Sequence, residues 1–216
     1  MTDHHHSHDE KDRSSPFTPE NYETIGSIVE SGRIWTEDAI NSLHLTKDMT
    51  ILDFGAGTGI IGRHLLNAVK KVIFEDISEP MLEQCKKKLE NLPNKNYEIF
   101  LGQIQDYNGE KVDAIVASLA LHHAGNLEDS IKGMFELLKP KGKLGVVEFQ
   151  LETPEEIQAQ GKVINRHGFF PDEFREVLTK CGFVNIEVKP AYPCYFTTDE
   201  GEKEIHKRFS AFAEKP

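Results

Sequence analysis

The chain has 216 residues and a formal net charge of -11, from 36 Asp and Glu against 25 Lys and Arg. It can bury one sizeable core with little left for a second domain, and it lacks the clustered cations that a broad nucleic-acid surface needs to displace counterions. Three cysteines (Cys85, Cys181 and Cys194) without CxxC spacing indicate neither a disulfide framework nor a cysteine zinc site and fit a reducing cytoplasm, while from the polar start and a longest apolar stretch of only residues 114–121 no secretory signal or membrane anchor is expected.

In chain order, residues 1–16 are charged and histidine-rich; with almost no apolar group to offset the entropy of ordering, they are expected to be a disordered tail. His4, His5, His6 and His8 offer no fixed coordination geometry there, so no metal is assigned. From residue 17 onward one domain is expected. Its first part, residues 17–47, carries Ile25, Ile28, Val29, Ile34, Trp35, Ile40 and Leu43 at helical spacing, and Thr36-Glu37-Asp38 reads as a helix start. Residues 48–216 form the core, where short β-rich runs alternate with amphipathic helices, the pattern of a doubly wound, largely parallel α/β sheet.

Strands are predicted at residues 50–54, 71–75, 97–101, 112–118 and 143–149. The helices between them start near Thr58, after a Ser78 cap, and after Asn126. Thr153-Pro154-Glu155-Glu156 is a capping sequence for a short helix ending near Gly161. Another helix starts at Pro171 and stops at Gly182. A sixth strand follows at residues 183–189. The last strand is assigned to residues 205–214, in preference to the proline-flanked residues 192–197.

The strongest chemical signal is Leu52-Asp53-Phe54-Gly55-Ala56-Gly57-Thr58-Gly59: an acid near the end of the first strand, glycines at alternate positions, then a helix. Such glycines let the backbone turn sharply and a ligand approach the main chain. Gly57-Thr58-Gly59-Ile60-Ile61-Gly62 also satisfies the dinucleotide fingerprint GxGxxG, so a nicotinamide or flavin enzyme competes. Asp53 discriminates, because a carboxylate at the mouth of the loop repels a pyrophosphate but accepts hydrogen bonds from an ammonium group. At the end of the second strand, Glu75-Asp76-Ile77-Ser78 provides a carboxylate able to accept from both hydroxyls of a ribose.

Together with Glu79-Pro80-Met81-Leu82 and Leu119-Ala120-Leu121-His122-His123, these stretches resemble the class I, Rossmann-like S-adenosylmethionine-dependent methyltransferases from about residue 50 to the C-terminus. The resemblance implies a seven-stranded sheet with an antiparallel last strand, helices on both faces, and a lid formed by the N-terminal helical segment. It implies that the methionine part of the cofactor lies over Asp53, Gly55, Ala56, Gly57 and Gly59. The ribose would then fall to Asp76, and the adenine to Ile77, Ser78 and Met81. Where relatives often carry Gly-Asp after the third strand, this chain has Gly102-Gln103; the Gln103 carbonyl can still accept from the adenine amino group, with Ile104 beside it. Ser118 and Leu119 after the fourth strand complete the cofactor set.

Methyl transfer from a sulfonium is an in-line displacement, so positioning and exclusion of water carry much of the catalysis. His122 and His123 follow the fourth strand at the carboxyl edge, where ligands collect in open α/β sheets, and are candidate bases with His167. Tyr22, Trp35, Glu148 and Phe169 are candidate contacts to the acceptor. The expected activity is methylation of a small organic molecule, releasing S-adenosylhomocysteine, with a protein side chain as the second choice and neither nucleic acid nor membrane as partner. An NAD(P)-dependent oxidoreductase and a non-catalytic binding partner are the rivals of another class.

Overall fold

The computed structural model describes residues 18–165, 167–197 and 201–216. The tail expected to be disordered, residues 1–16, lies outside them. After a 3-10 turn at Tyr22–Thr24, helix α1 spans Ile28–Ser42. Strands and helices then alternate as β1 Thr50–Phe54, α2 Ile60–Leu65, β2 Lys71–Asp76, α3 Glu79–Glu90, β3 Tyr97–Leu101, β4 Val112–Ser118, α4 Leu127–Leu137 and β5 Leu138–Phe149. Helices α5 Pro154–Gln160 and α6 Pro171–Lys180 lead to β6 Val184–Thr197 and β7 Lys203–Glu214.

Among the described residues these strands form one seven-stranded sheet in the order β3-β2-β1-β4-β5-β7-β6. β1 to β5 pair in parallel, and β7 runs antiparallel to both of its neighbours, β5 and β6. The order reverses between β1 and β4, the switch point at which the carboxyl ends of strands leave a crevice. Successive side chains of a strand point to opposite faces. Ile51, Val72, Phe74, Ala114 and Val116 accordingly meet α1, α2 and α3 on one face. Leu52, Ile73, Ile115 and Ala117 meet α4 and α6 on the other. Burial on both faces explains why the inner strands read as continuous apolar runs; each such Leu or Ile contributes about 1.5–3 kcal/mol relative to exposure.

Three expectations change. Thr36 does not start a helix: it lies buried inside α1, where its Oγ1 donates to the Gly32 carbonyl at 2.8 Å, a back-bond that satisfies the hydroxyl within a continuous helix. Ser78 is the N-cap residue of α3, yet its side chain makes no capping bond. β6 continues through Pro190 and Pro193 to Thr197, so residues 192–197 and 205–214 are the two arms of one hairpin rather than alternatives. β6 is the edge of the sheet and bulges between Ala191 and Cys194, which is where a strand tolerates proline. The expected capping box does form: Thr153 Oγ1 accepts the Glu156 N–H and Glu156 Oε2 accepts the Thr153 N–H. Among the described residues no helix is long and apolar enough to cross a membrane.

Candidate active site

A cleft of about 670 Å³ opens at the carboxyl ends of β1, β2 and β4. Its floor is the turn from β1 into α2. Gly55 and Gly57 both take positive φ, +60° and +55°, a region costly for any residue with a Cβ. The two differ in what surrounds them. A Cβ on Gly55 would stand 2.4 Å from the Ala120 Cβ, whereas one on Gly57 would meet only the Gly55 carbonyl oxygen, at 4.0 Å, and project into open space. Gly55 therefore packs the turn against the segment after β4, and Gly57 leaves room for a ligand against the main chain. Gly59 lies outside the cleft lining; a Cβ there would stand 2.6 Å from Cys85 Sγ, so it serves the packing of α2 on α3.

Three carboxyl groups gather under this turn. Asp53, 1% exposed, accepts the Gly62 N–H at 2.9 Å through Oδ2; it lies on the cleft floor rather than at its mouth. Glu75, 2% exposed, accepts the Gly55 N–H at 3.1 Å. Asp76 Oδ2 accepts the Gly57 N–H at 2.7 Å, and its Oδ1 accepts the Ser78 N–H at 2.8 Å. Burial raises the Asp53 carboxyl to about 7 and the Glu75 carboxyl to about 8; the charge of Asp76 adds to both, against the lowering effect of the two backbone N–H bonds.

Folding thus raises both pKa values above their unfolded ones. The folded chain binds more protons than the unfolded chain between about pH 4 and pH 8, and the pair's contribution to stability falls as pH rises through that window. A cationic ligand favours the ionised form, so its binding at pH 7 is expected to expel protons. Calorimetric enthalpies in buffers of different ionisation heat check this. If they do not vary with buffer, neither carboxyl changes state and the ligand's positive charge lies elsewhere.

The next elements line the same cleft. Ile77, Ser78 and Met81 come from the start of α3, and Ile77 is 70% exposed, leaving an apolar face at the rim. Gln103 and Ile104 follow β3, and Ser118 and Leu119 follow β4. Leu119 holds φ +53°, unusual for leucine, with its N–H donated to the Val147 carbonyl at 2.9 Å. Ala56 also lines the cleft. The acids, the open position at Gly57 and the apolar rim fit a ligand that carries positive charge, which favours the ionised carboxyls, and an aromatic base.

His123 and Tyr22 line the same cleft. Burial, the largest effect, pushes the Tyr22 phenol up to about 12, so it is a neutral hydroxyl at pH 7. The turn that carries Tyr22 is tied down by Glu23, which accepts from Thr58 Oγ1, Arg63 Nη2 and Lys88 Nζ, each at 2.6 Å.

Several sequence candidates lie elsewhere. His122 is outside the cleft lining, its Nδ1 hydrogen-bonded with Glu148 Oε2 at 2.7 Å, while Glu148 Oε1 accepts the Leu121 N–H at 2.7 Å. Glu148 is 0% exposed and supports this turn from below instead of reaching the cleft. Trp35, 2% exposed, belongs to the core between α1 and the sheet. His167 is exposed and outside the lining, Phe169 packs on Phe174 at 5.4 Å between ring centres, and the neighbouring Arg166 is outside the described residues. Glu75, Arg208, Ile28 and Gly32 line the cleft without having been singled out. For Glu75 the signal was present, an acid ending an apolar strand; for Arg208, on β7, the sequence offers none. Among the described residues no group of three His, Cys, Asp or Glu is placed to hold a metal ion.

Residues 52–144 match a methyltransferase domain family. The chain is 29% identical over 166 residues to an uncharacterized methyltransferase of Schizosaccharomyces pombe, covering 69% of this chain and 58% of that one. It is 28% identical over 136 residues to the ubiquinone/menaquinone biosynthesis C-methyltransferase of Salmonella arizonae, covering 59% of this chain and 54% of that one. The chain therefore spans little more than half the length of these relatives. A SAM-dependent methyltransferase from Aquifex aeolicus superposes with a TM-score of 0.66 at 18% identity, over 93% of this chain and 100% of that one, which is a likeness of fold. Residues 52–144 thus carry a methyltransferase domain, and the 3-2-1-4-5-7-6 sheet around them has the fold of the Aquifex aeolicus S-adenosylmethionine-dependent methyltransferase.

Proposed function

We propose that the chain transfers the methyl group of S-adenosylmethionine to a small organic molecule by in-line displacement, releasing S-adenosylhomocysteine. The observation that carries this reading is one cleft lined both by carboxyls and open glycine backbone and by two groups able to meet an acceptor, His123 and Tyr22. A volume of about 670 Å³ suits a cofactor with a small partner. The Salmonella relative, named for C-methylation in quinone biosynthesis, supports the same class.

On this reading Asp76 holds the ribose, the turn at Gly55 to Gly57 with Asp53 and Glu75 beneath it holds the amino-acid part, and Ile77, Met81, Gln103 and Ile104 hold the adenine. When bound, the cofactor supplies a sulfonium methyl as electrophile. The chain's residues orient the acceptor and exclude water, residues 17–47 acting as the lid over residues 48–216, and His123 takes a proton where the acceptor must lose one. The free thiols of Cys85, Cys181 and Cys194 fit a cytoplasmic setting.

The test is binding followed by turnover. Calorimetry is expected to show saturable S-adenosylmethionine and S-adenosylhomocysteine binding and none of NADH, and a panel of small nucleophiles with methyl-labelled cofactor is expected to release S-adenosylhomocysteine. NADH binding alone revives the oxidoreductase reading. Label found only in added peptides moves the acceptor to protein side chains.

A further inference from the structure

Arg208 is 2% exposed, and it lines the cleft. It lies on β7, opposite Phe149 of β5 and Ala191 of β6. Its Nε donates to the Tyr192 carbonyl at 2.8 Å, and its Nη2 donates to the same oxygen. That carbonyl sits within the β6 bulge between Ala191 and Cys194, where the regular ladder is interrupted and the oxygen is left for the guanidinium. Among the described residues no hydrogen bond engages Nη1, and Arg208 borders the cleft.

No carboxylate among the described residues pairs with this charge. Glu148 is the carboxylate whose charge acts on it, and its two oxygens are engaged by the Leu121 N–H and His122. The acids of the cofactor end interact with one another instead: Asp76 acts on Asp53, and Asp76 and Asp53 act on Glu75. Burial presses the Arg208 pKa below its ordinary value, yet a guanidinium keeps its proton at neutral pH. A buried cation left without counter-charge destabilises a fold, and an anion that arrives with its own oxygens offsets that cost. A planar guanidinium that borders a cleft and keeps N–H groups uncommitted to protein acceptors matches an oxyanion.

We propose that Arg208 is the anchor for an anionic group, a carboxylate or a phosphate, on the methyl acceptor, so that this enzyme selects acidic small molecules. The inference rests on the small-molecule methyltransferase reading. It gives the cleft opposite charge preferences at its ends, acids for the cationic cofactor and one cation for the acceptor, which orients the two partners relative to each other before reaction.

The test titrates benzoate, phenyl phosphate and the neutral benzamide into S-adenosylhomocysteine-saturated protein at constant ionic strength, for wild type, Arg208→Lys and Arg208→Met. One of the anionic probes is expected to bind at least about 10-fold more tightly than benzamide, and which one does so separates carboxylate from phosphate. Arg208→Met should abolish that preference, Arg208→Lys should keep part of it, and S-adenosylhomocysteine affinity should stay at the wild-type value in both. Equal binding of all three probes by wild type overturns the proposal without recourse to any variant, as does a preference that survives in Arg208→Met. Loss of S-adenosylhomocysteine affinity in a variant whose thermal unfolding is unchanged also overturns it, because the guanidinium would then hold the cofactor's own carboxylate. Failure of wild type to bind S-adenosylhomocysteine removes the methyltransferase reading itself, a distinct result.

Discussion

Replacement of Asp76 by alanine is expected to weaken S-adenosylhomocysteine binding about 100-fold, or ~2.7 kcal/mol, with the fold retained. One carboxylate joins the two halves of the cofactor end: Oδ2 receives the Gly57 N–H from the turn after β1, and Oδ1 receives the Ser78 N–H at the start of α3. Each oxygen has a second lone pair for a ligand hydroxyl. Alanine removes those acceptors, leaves two N–H groups without their partner and loosens the glycine turn. Asp76→Asn keeps one carbonyl acceptor and is expected to lose only about 10-fold. Calorimetric titration with S-adenosylhomocysteine decides the matter, and wild-type affinity in Asp76→Ala would restrict this residue to holding the turn.

The second large effect is expected at Glu148. Glu148→Ala should lower stability by about 3 kcal/mol and the melting temperature by roughly 10 °C for a chain of this size. The side chain is fully buried, and both of its oxygens are engaged at 2.7 Å, one by the Leu121 N–H and one by His122 Nδ1. Truncation leaves a buried N–H and an imidazole without partners beside a cavity, and each of those changes costs free energy. His122 lies against His123, with ring centres 4.0 Å apart, so the same change should also disturb the acceptor end. Glu148→Gln is the control: its carbonyl can take the Leu121 N–H while its amide meets His122, so most of the stability should return while turnover with any acceptor that needs His123 stays reduced. A melting temperature within about 2 °C of wild type in Glu148→Ala would show that the turn does not depend on this carboxyl.

What could be read along the chain and what could not follow from how far each feature reaches. β1, β3 and β4 begin and end where residues 50–54, 97–101 and 112–118 predict, because strands buried on both faces are apolar runs cut off by turn residues. The glycine turn and the acid after β2 are legible for a similar reason, since each is a contiguous stretch whose conformation is set by its own neighbours. Thr36 misleads because a hydroxyl followed by two acids looks the same at a helix start and in the middle of a longer helix; only the carbonyl of Gly32 in place to accept decides. The prolines of β6 argue against a strand until the strand is known to be an edge.

By itself, then, the amino-acid order determines the alternation of strands and helices, the glycine turn from Gly55 to Gly59, and the acid at Asp76, all written in local periodicity and backbone chemistry. The tertiary structure alone decides the pairing of Glu148 on β5 with His122 in the turn after β4, the burial that raises the Asp53 and Glu75 carboxyls, and the arrival of Arg208 in the cleft. Those depend on which distant segments the sheet brings together and on how much water they exclude. Neither quantity is a property of a residue and its neighbours in the chain.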